Sequence, residues 1–417
     1  ASGIESSLNG LLAGVNGKYV YANGRGNIIP GSERVSVEAK SGTSVRLTID
    51  RDVQWVAQNA ISQAVSASRA QSGTVIVMDP KTGAILAQAS APTFDPSVSS
   101  SITLEKLKNP AVQEVYEPGS TGKVITVAAA LQEGLVTPES VFTIPYKMKV
   151  ADQYFHDHEK HPTQRLTTAG VLAVSSNTGS IQIGQKLGKD VLYDYLRKFG
   201  IGESTNSKLP GESAGILHPV KNWSGTSLPT IAFGQGYAVT AMQATSVFAT
   251  IANDGVRVSP SILAGVVDES GKYTPAKPNN SVRVLSSQTA TDMRAMMESV
   301  VSSSGTAPTA AIDGYRIAGK TGTANRFNSA CKCYSGYTAS FIGFAPADQP
   351  RYVINVTIQD PKGMHWGGVL AGPVFKKVMS FVLQNERIQP TQAPKTTFNL
   401  TEAALKSASK KTDKSGA

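Results

Sequence analysis

Three stretches near the C-terminal end decide the fold: YRIAGKTGTA (residues 315–324), YTASFIGFAPA (337–347) and RYVINVTIQD (351–360). Each is short and holds several β-branched and aromatic residues, which predicts three consecutive strands. AGPVFKKVMSFVLQNE (371–386) follows and repeats its apolar residues at helical spacing, which predicts an amphipathic helix. This part of the chain therefore indicates a sheet with a helix packed on it.

An earlier stretch, SVRLTIDRDVQWVAQNAISQAVSAS (44–68), predicts a short strand and then a helix with Asp50 as its N-cap. The apolar stripe of this helix consists of Val53, Val56, Ala57, Ala60 and Ile61. GTVIVMDPKTGAILAQAS (73–90) comes next. The turn-forming residues 79–83 between its two apolar runs predict a hairpin.

Residues 104–300 have a mostly helical pattern. Candidate helices lie at 120–133, 167–175, 189–199, 240–253 and 287–303. The order of elements along the chain predicts an α+β fold. In it, an antiparallel sheet is flanked by helices and carries an all-helical subdomain at about 104–300.

Three regions are expected along the chain. Residues 1–45 are Gly-rich and too short to bury a core, so we interpret them as the remnant of a larger N-terminal module. Residues 46–387 form the main domain, and 388–417 are expected to be a flexible, basic tail. The chain starts at Ala1 without Met or a signal peptide, so we expect a trimmed product whose N-terminal anchor has been lost.

The chain has 417 residues and a formal net charge of +10. That charge fits either an anionic partner or an ordinary solvated basic surface. No run interleaves aromatic residues with Lys and Arg, so nucleic acid is not an expected partner. No run of roughly 18 apolar residues is present that would cross a membrane.

The two cysteines, Cys331 and Cys333, are separated by one residue. In a strand their Cα atoms would be about 6.6 Å apart, near the upper limit for a disulfide. A bridge and two free thiols therefore both remain open. A metal site would need more ligands than this pair offers.

GYRIAGKT, residues 314–321, fits the phosphate-loop pattern G-x-x-x-x-G-K-[ST]. A phosphate loop needs a strand before it and a helix after it, so that the N-terminus of the helix meets the phosphates. Here the strand pattern lies inside the motif, and the following residues are too rich in Gly, Ser, Asn and Thr for a helix. We therefore exclude a nucleotide site, and no cofactor is expected.

Ser120 and Lys123 lie in EPGSTGKVITV, residues 117–127, where a predicted helix begins. At a spacing of three residues both side chains lie on one face of the helix. A buried lysine loses proton affinity and can take the proton of the serine hydroxyl. Alone, the pair also fits a capped helix with a solvated lysine.

Two further motifs favour the catalytic interpretation. Ser175 and Asn177, in SSN, offer a proton path and an amide that can hold a substrate. KTGT supplies a cation, Lys320, and two hydroxyls, Thr321 and Thr323. Gly322 has no side chain, which lets a substrate backbone approach closely. Each motif is weak alone, but S-x-x-K, S-x-N and K-T-G in this order are jointly strong.

With these motifs the chain resembles the class B penicillin-binding proteins, the monofunctional D,D-transpeptidases that cross-link peptidoglycan. The resemblance covers residues 46–385 and includes EPGSTGKV, SSNTGS, FGQGYAVTAMQ, AGKTGTA and GGVLAGPVF. GIESSLNGLLAG and GRGNIIPG resemble the end of the N-terminal pedestal module of that class.

The resemblance implies a role for each motif residue. Ser120 is the acylated nucleophile, Lys123 its base, and Ser175 the proton relay toward the leaving amine. Asn177 holds the amide of the donor peptide. The carboxylate of the donor meets Lys320 and Thr321, next to Gly322, and the backbone N–H groups of Ser120 and Thr323 form the oxyanion hole.

The resemblance also implies partners and a location. Peptidoglycan stem peptides are the substrates, and β-lactams acylate the same serine. A membrane glycosyltransferase and division or elongation proteins are expected partners, at the extracytoplasmic face of the bacterial cell membrane. A division-type role is favoured over elongation. The acceptor amine, the oligomeric state and the final choice between division and elongation remain open.

Three rival functions share these motifs. A serine β-lactamase would need a glutamate for the deacylating water, and Glu212 in LPGES is the nearest candidate. A D,D-carboxypeptidase would use water in place of the amine, and a non-catalytic penicillin-binding sensor would keep only the fold.

The stretch HDHEKH contains His156, His158 and His161, which are close enough in sequence to be ligands of one metal ion. We favour a structural or substrate-rim role for this stretch.

Overall fold

The computed structural model describes residues 3–328, 331–391 and 397–414. Its centre is an antiparallel sheet of five strands: β1 (Ser72–Met78), β2 (Ile85–Ala91), β3 (Ala318–Asn328), β4 (Cys333–Ala345) and β5 (Tyr352–Gln359). Their order across the sheet is β3-β4-β5-β1-β2. The three consecutive strands and the hairpin predicted from the sequence thus join in one sheet, which confirms the α+β class.

Helices cover both faces of this sheet. The main ones are α1 (Arg51–Ser68), α2 (Lys123–Gln132), α3 (Asn177–Leu187), α4 (Ala241–Ala252), α5 (Ser287–Val301) and α6 (Gly367–Asn385). The two faces can be told apart by strand alternation. Phe341, which pairs with Val356, packs edge-on against Phe375 of α6, whereas the neighbouring Asn355 donates to Ala241 O at the start of α4. All eight residues of β5 are buried for this reason.

Shorter elements complete the described chain. The other helices and 3-10 turns are Gly3–Ser7, Asn9–Leu12, Ser99–Ser101, Pro110–Gln113, Gly119–Gly122, Thr168–Ala173, Lys189–Lys198, Val220–Asn222, Ser227–Ala232, Pro308–Ala310 and Glu402–Lys414. The other strands are Lys18–Val20, Asn23–Gly24, Asn27–Ile28, Arg34–Val37, Ser44–Leu47, Val115–Tyr116, Val141–Ile144, Lys147–Val150, Gln153–His156, Gln164–Thr167, Val239–Thr240, Val256–Val258, Leu263–Val267, Tyr273–Pro275 and Ser281–Arg283.

The region 104–300 is mostly helical but not all-helical, which corrects the prediction. Each of the five candidate helices is present with slightly different ends. The region also holds short antiparallel strand pairs, among them Lys147–Val150 with Gln153–His156 and Val141–Ile144 with Gln164–Thr167. Strands of four residues leave too short an alternating pattern to be recognised in the sequence.

Residues 397–402 contact the main domain, unlike the flexible tail expected for 388–417; residues 392–396 and 415–417 of that tail lie outside the described residues. The hydroxyl of Thr167 donates to Asn399 O at 2.6 Å, Leu166 forms a β-bridge with Thr401, and a helix begins at Glu402. The partner backbone lies 232 residues earlier in the chain, so composition could not reveal this pairing. The boundaries of the three regions themselves stay predictions.

Cys331 and Cys333 form a disulfide in the β3–β4 hairpin, which settles the question that the sequence left open. Among the residues that the structure describes, no helix is both long and apolar enough to cross a membrane.

The predicted start of α1 is confirmed, and it offers a test of stability. Asp50 Oδ1 accepts from the backbone N–H groups of Asp52 and Val53, at 2.9 Å each. Asp50→Ala should lower the free energy of unfolding by about 1 kcal/mol, because two N–H groups lose their acceptor. Chemical denaturation monitored by circular dichroism measures this change.

Asp50→Asn is the matched control, because asparagine also caps helices and should retain most of the stability. Equal losses in the alanine and asparagine variants would contradict a capping role for Asp50.

Candidate active site

Ser120 lies in the 3-10 turn Gly119–Gly122 that leads directly into α2. The turn is held close to its neighbours by glycines. Gly119 has a positive φ of 53° and donates its N–H to Gly234 O at 2.8 Å. A Cβ atom added at Gly234 would overlap the carbonyl oxygen of Gly119. The position of Ser120 is therefore fixed by backbone contacts.

Lys123 joins two of the predicted motifs. Its side chain is fully buried, and Nζ donates to Ser175 O at 2.5 Å, Ser175 Oγ at 3.2 Å and Asn177 Oδ1 at 2.7 Å. Burial lowers the pKa of Lys123 to about 7, and the Asp157 carboxylate opposes this shift. Among the described contacts, Nζ makes no hydrogen bond with Ser120. The lysine is thus poised to exchange a proton but is engaged with the S-x-N motif.

Ser175 and Asn177 lie at the turn between the helix Thr168–Ala173 and α3. Ser175 has a φ of 61°, a left-handed conformation that is uncommon for a residue with a side chain. Ser176 caps α3 by accepting from Gly179 N at 2.9 Å. The cap and the unusual turn together present Ser175 and Asn177 to the cleft.

Asp157 is a positioning residue that the sequence did not reveal. Oδ1 accepts from the backbone N–H groups of Asn177 at 2.5 Å and Thr178 at 2.9 Å, and Oδ2 accepts from Ser176 Oγ at 2.8 Å. A carboxylate at a helix N-terminus is stabilised by the unpaired N–H groups there. Asp157 therefore fixes the start of α3, and with it the S-x-N motif.

The histidines around Asp157 do not converge on a common point. His161 contacts Asp157 Oδ2 at 3.1 Å, while the carbonyl of His156 accepts from Asn177 Nδ2 at 2.9 Å. Among the described residues, no three His, Cys, Asp or Glu side chains are placed to hold a metal ion. The contacts of Asp157 are those of a helix cap.

The K-T-G motif lies on β3, beside the serine. Lys320 is fully buried, and Nζ lies 3.5 Å from Thr321 Oγ1. Burial and the charge of Lys123 lower the pKa of Lys320 well below its usual value. Thr321 Oγ1 and Thr306 Oγ1 are 2.8 Å apart, and Thr323 Oγ1 accepts from Gly367 N at 3.1 Å.

Gly322 lets β3 approach the nucleophile turn. A Cβ atom at this position would overlap Ser340 Oγ and would lie 3.0 Å from both Pro118 O and the methyl group of Thr121. The structure therefore brings all eight predicted site residues together around one cleft. The role of each residue in a reaction stays a prediction.

Glu117 is a second residue whose role the sequence did not reveal. Its Oε1 accepts from Gly236 N and from the Tyr334 hydroxyl, at 3.0 Å each. Burial raises the pKa of this carboxyl. Glu117 thus ties the nucleophile turn to the hairpin that carries the disulfide.

The cleft consists of two cavities that meet at the serine. The larger, of about 540 Å³, is lined by Ser175, Thr306 and Thr321, and the smaller, of about 300 Å³, by Asn177 and several aromatic rings. Both are also lined by Ser120 and Thr323. Such a cleft suits a peptide that lies across the serine.

Comparisons with known proteins agree with this geometry. The family model of the penicillin-binding protein transpeptidase domain matches residues 73–380. Penicillin-binding protein PbpB of Mycolicibacterium smegmatis is 40% identical over 413 residues, which are 96% of this chain and 64% of that protein. The probable peptidoglycan D,D-transpeptidase PenA of Neisseria flavescens is 34% identical over 94% of this chain and 95% of its own length.

Solved structures are also similar. Penicillin-binding protein 3 of Mycobacterium tuberculosis, complexed with ampicillin, superimposes with a TM-score of 0.87 and 36% identity. The alignment covers 96% of this chain and 88% of that one. The chain spans less than two thirds of the length of PbpB from M. smegmatis and from M. tuberculosis.

The lowered pKa of Lys123 predicts how labelling of Ser120 by a fluorescent penicillin depends on pH. Since only the neutral amine accepts a proton, the labelling rate should rise about tenfold per pH unit below pH 7 and level off above it. Stopped-time labelling between pH 5 and 9 measures the profile. A rate that is flat over this range would show that Lys123 is not the base.

Asp157→Asn should change this profile in two ways. The carboxylate raises the pKa of Lys123, so its removal should move the midpoint to lower pH. The start of α3 also loses its anionic cap, so the plateau rate should fall about tenfold or more. Asp152→Asn, an exposed carboxylate nearby, is the matched control. A midpoint that stays in place or rises would contradict the coupling of Asp157 to Lys123.

Proposed function

Because the chain belongs to the class B penicillin-binding proteins, we propose that it is a peptidoglycan D,D-transpeptidase acting through a Ser120 acyl-enzyme. One observation carries the proposal. The buried Nζ of Lys123 contacts both Ser175 and Asn177, and Lys123 directly follows the 3-10 turn that holds Ser120. A base and a relay are thus joined by hydrogen bonds, and the nucleophile lies in the turn next to the base.

In the first step, Ser120 Oγ attacks the carbonyl carbon of the penultimate D-Ala. About half of Lys123 is neutral near pH 7 and can take the hydroxyl proton. Ser175 Oγ, at 3.2 Å from Nζ, passes a proton to the departing nitrogen. The C–N bond breaks, and the terminal D-Ala leaves as a free amine.

The oxyanion of the intermediate and the carboxylate of the substrate both need hydrogen-bond donors. The backbone N–H groups of Ser120 and Thr323 are proposed to stabilise the oxyanion. The paired hydroxyls of Thr306 and Thr321, with Nζ of Lys320 beside Thr321, would hold the carboxylate of the terminal D-Ala. Asn177 would hold the donor amide through its side chain.

In the second step an amine of another stem peptide attacks the ester. The C–N bond forms, the bond to Ser120 Oγ breaks, and the proton released by the amine returns to Oγ. A β-lactam resembles the donor and would acylate the same serine, but its leaving group stays tethered. M. tuberculosis penicillin-binding protein 3, complexed with ampicillin and with aztreonam, gives solved examples of such complexes.

Glu212 does not support a β-lactamase function. Its carboxylate accepts from Thr205 N at 2.8 Å and from Ser204 Oγ at 2.7 Å, and so stabilises its own loop. It lines neither cavity at Ser120. A D,D-carboxypeptidase would use the same groups with water as the acceptor, so only the products separate the two.

We also propose a division-type role, based on the likeness to PbpB and to the D,D-transpeptidase FtsI of Escherichia coli. A peptidoglycan transpeptidase acts outside the cytoplasm, and we propose a place at the outer face of the bacterial membrane. A membrane glycosyltransferase and division or elongation proteins would be partners there. A fluorescent fusion at the lateral wall, rather than at the septum, would contradict the division role.

The proposal predicts that a penicillin labels the chain at one residue. Wild-type protein should gain the mass of one penicillin, and the adduct should persist for minutes, whereas Ser120→Ala should gain none. Intact-mass spectrometry measures both, with Ser99→Ala, an exposed serine, as the control. An unlabelled wild type would favour a non-catalytic sensor. An adduct that disappears within seconds would favour a β-lactamase.

A further inference from the structure

The two cavities at Ser120 share a wall made of His158 and Trp366. Both residues line both cavities. The ring of His158 meets that of Trp366 edge-on, with centroids 5.5 Å apart and planes at 89°. His158 precedes the S-x-N motif and Trp366 precedes α6, so two separate segments of the chain contribute to this wall.

The residues that line the two cavities indicate which part of the donor peptide each cavity binds. The larger holds Thr306 and Thr321, whose hydroxyls are proposed to meet the carboxylate of the leaving D-Ala. The smaller holds Asn177 together with Tyr154 and Tyr337, and suits the body of the donor peptide. The leaving residue therefore occupies the larger cavity, beside His158.

The acceptor amine must attack from the side that the leaving amine vacates, because the two steps pass through equivalent tetrahedral intermediates. It therefore enters the larger cavity after D-Ala departs. The amine reacts as the free base and needs a neighbour that accepts one of its N–H hydrogens while its lone pair faces the ester carbon. The polar groups of the larger cavity therefore determine how well the acceptor amine is bound.

His158 is the residue of this cavity best suited to that contact. Among the described residues, neither ring nitrogen has a hydrogen-bond partner, and the ring is accessible from the cleft. Although His158 is exposed to the cleft, its partial burial and then the charges of Lys123 and Lys320 lower its pKa to about 4, against the opposing effect of Asp157. The imidazole is therefore neutral at physiological pH and offers a lone pair.

The carboxylates near His158 are less suitable acceptors for the amine. Both oxygens of Asp157 are engaged by the start of α3. Glu159 lines only the larger cavity, whereas His158 lies where the two cavities meet at Ser120.

We propose that His158 binds the incoming acceptor amine through an unprotonated ring nitrogen, and so favours transfer of the acyl group to an amine over hydrolysis. The inference rests on the proposed transpeptidase function, and it names the residue that selects the acceptor at that site.

The test uses an acyl-D-alanyl thioester as donor and D-alanine as the amine. His158→Phe retains a ring against Trp366 but has no nitrogen. We expect its ratio of transfer to hydrolysis to fall about tenfold more than its rate of penicillin labelling, because one hydrogen bond is lost only in the second step. Chromatography of the products gives the ratio.

Two further variants define the outcome. His158→Asn keeps a polar acceptor and should recover part of the ratio. His218→Phe, the same change at an exposed histidine that lines neither cavity, should behave as wild type. A ratio in His158→Phe equal to that of wild type, or one that falls only as much as labelling does, would overturn the inference. Wild-type protein that is labelled but forms no transfer product would overturn the transpeptidase proposal itself, and the inference with it.

Discussion

The burial of the Lys123 ammonium is the constraint on which the site depends. A charge without water is costly unless it is hydrogen-bonded, and here its partners come from a segment 52 residues away. The contacts with Ser175 and Asn177 satisfy the lysine and fix the S-x-N turn against α2. The same burial lowers the pKa of the lysine to about 7, so the packing that holds the site also makes it a base.

Asp157 balances this arrangement from the other side. Its carboxylate accepts hydrogen bonds from the N-terminus of α3. Its negative charge raises the pKa of Lys123 and so opposes the effect of burial. The cleft therefore holds a buried carboxylate near two buried lysines. Partial burial, and then the charges of Lys123 and Lys320, lower the pKa of His158.

Much of the fold could be predicted because its signals are local. The Asp50 cap, the apolar stripe of α1 and the three consecutive strands each need only a short window of sequence. The motif residues could be named because spacing and resemblance mark them. Asp157 and Glu117 could not, because their importance depends on N–H groups and a hydroxyl contributed by other segments. The pairing of Thr167 with Asn399 escaped for the same reason.

The spacing between nucleophile and strand is set by residues that have no side chain. Gly119 touches Ala324 of β3, Gly234 lies against the carbonyl of Gly119, and Gly322 faces Pro118 O. Ser120 belongs to the helical region and Thr323 to the sheet, so a side chain at any of these contacts would separate the groups proposed to form the oxyanion hole. Backbone-to-backbone contact is stiffer than contact between side chains, since no rotamer can adjust it. The K-T-G glycine thus acts on the geometry of Ser120 as well as admitting a substrate, and both effects require that position to remain without a Cβ atom.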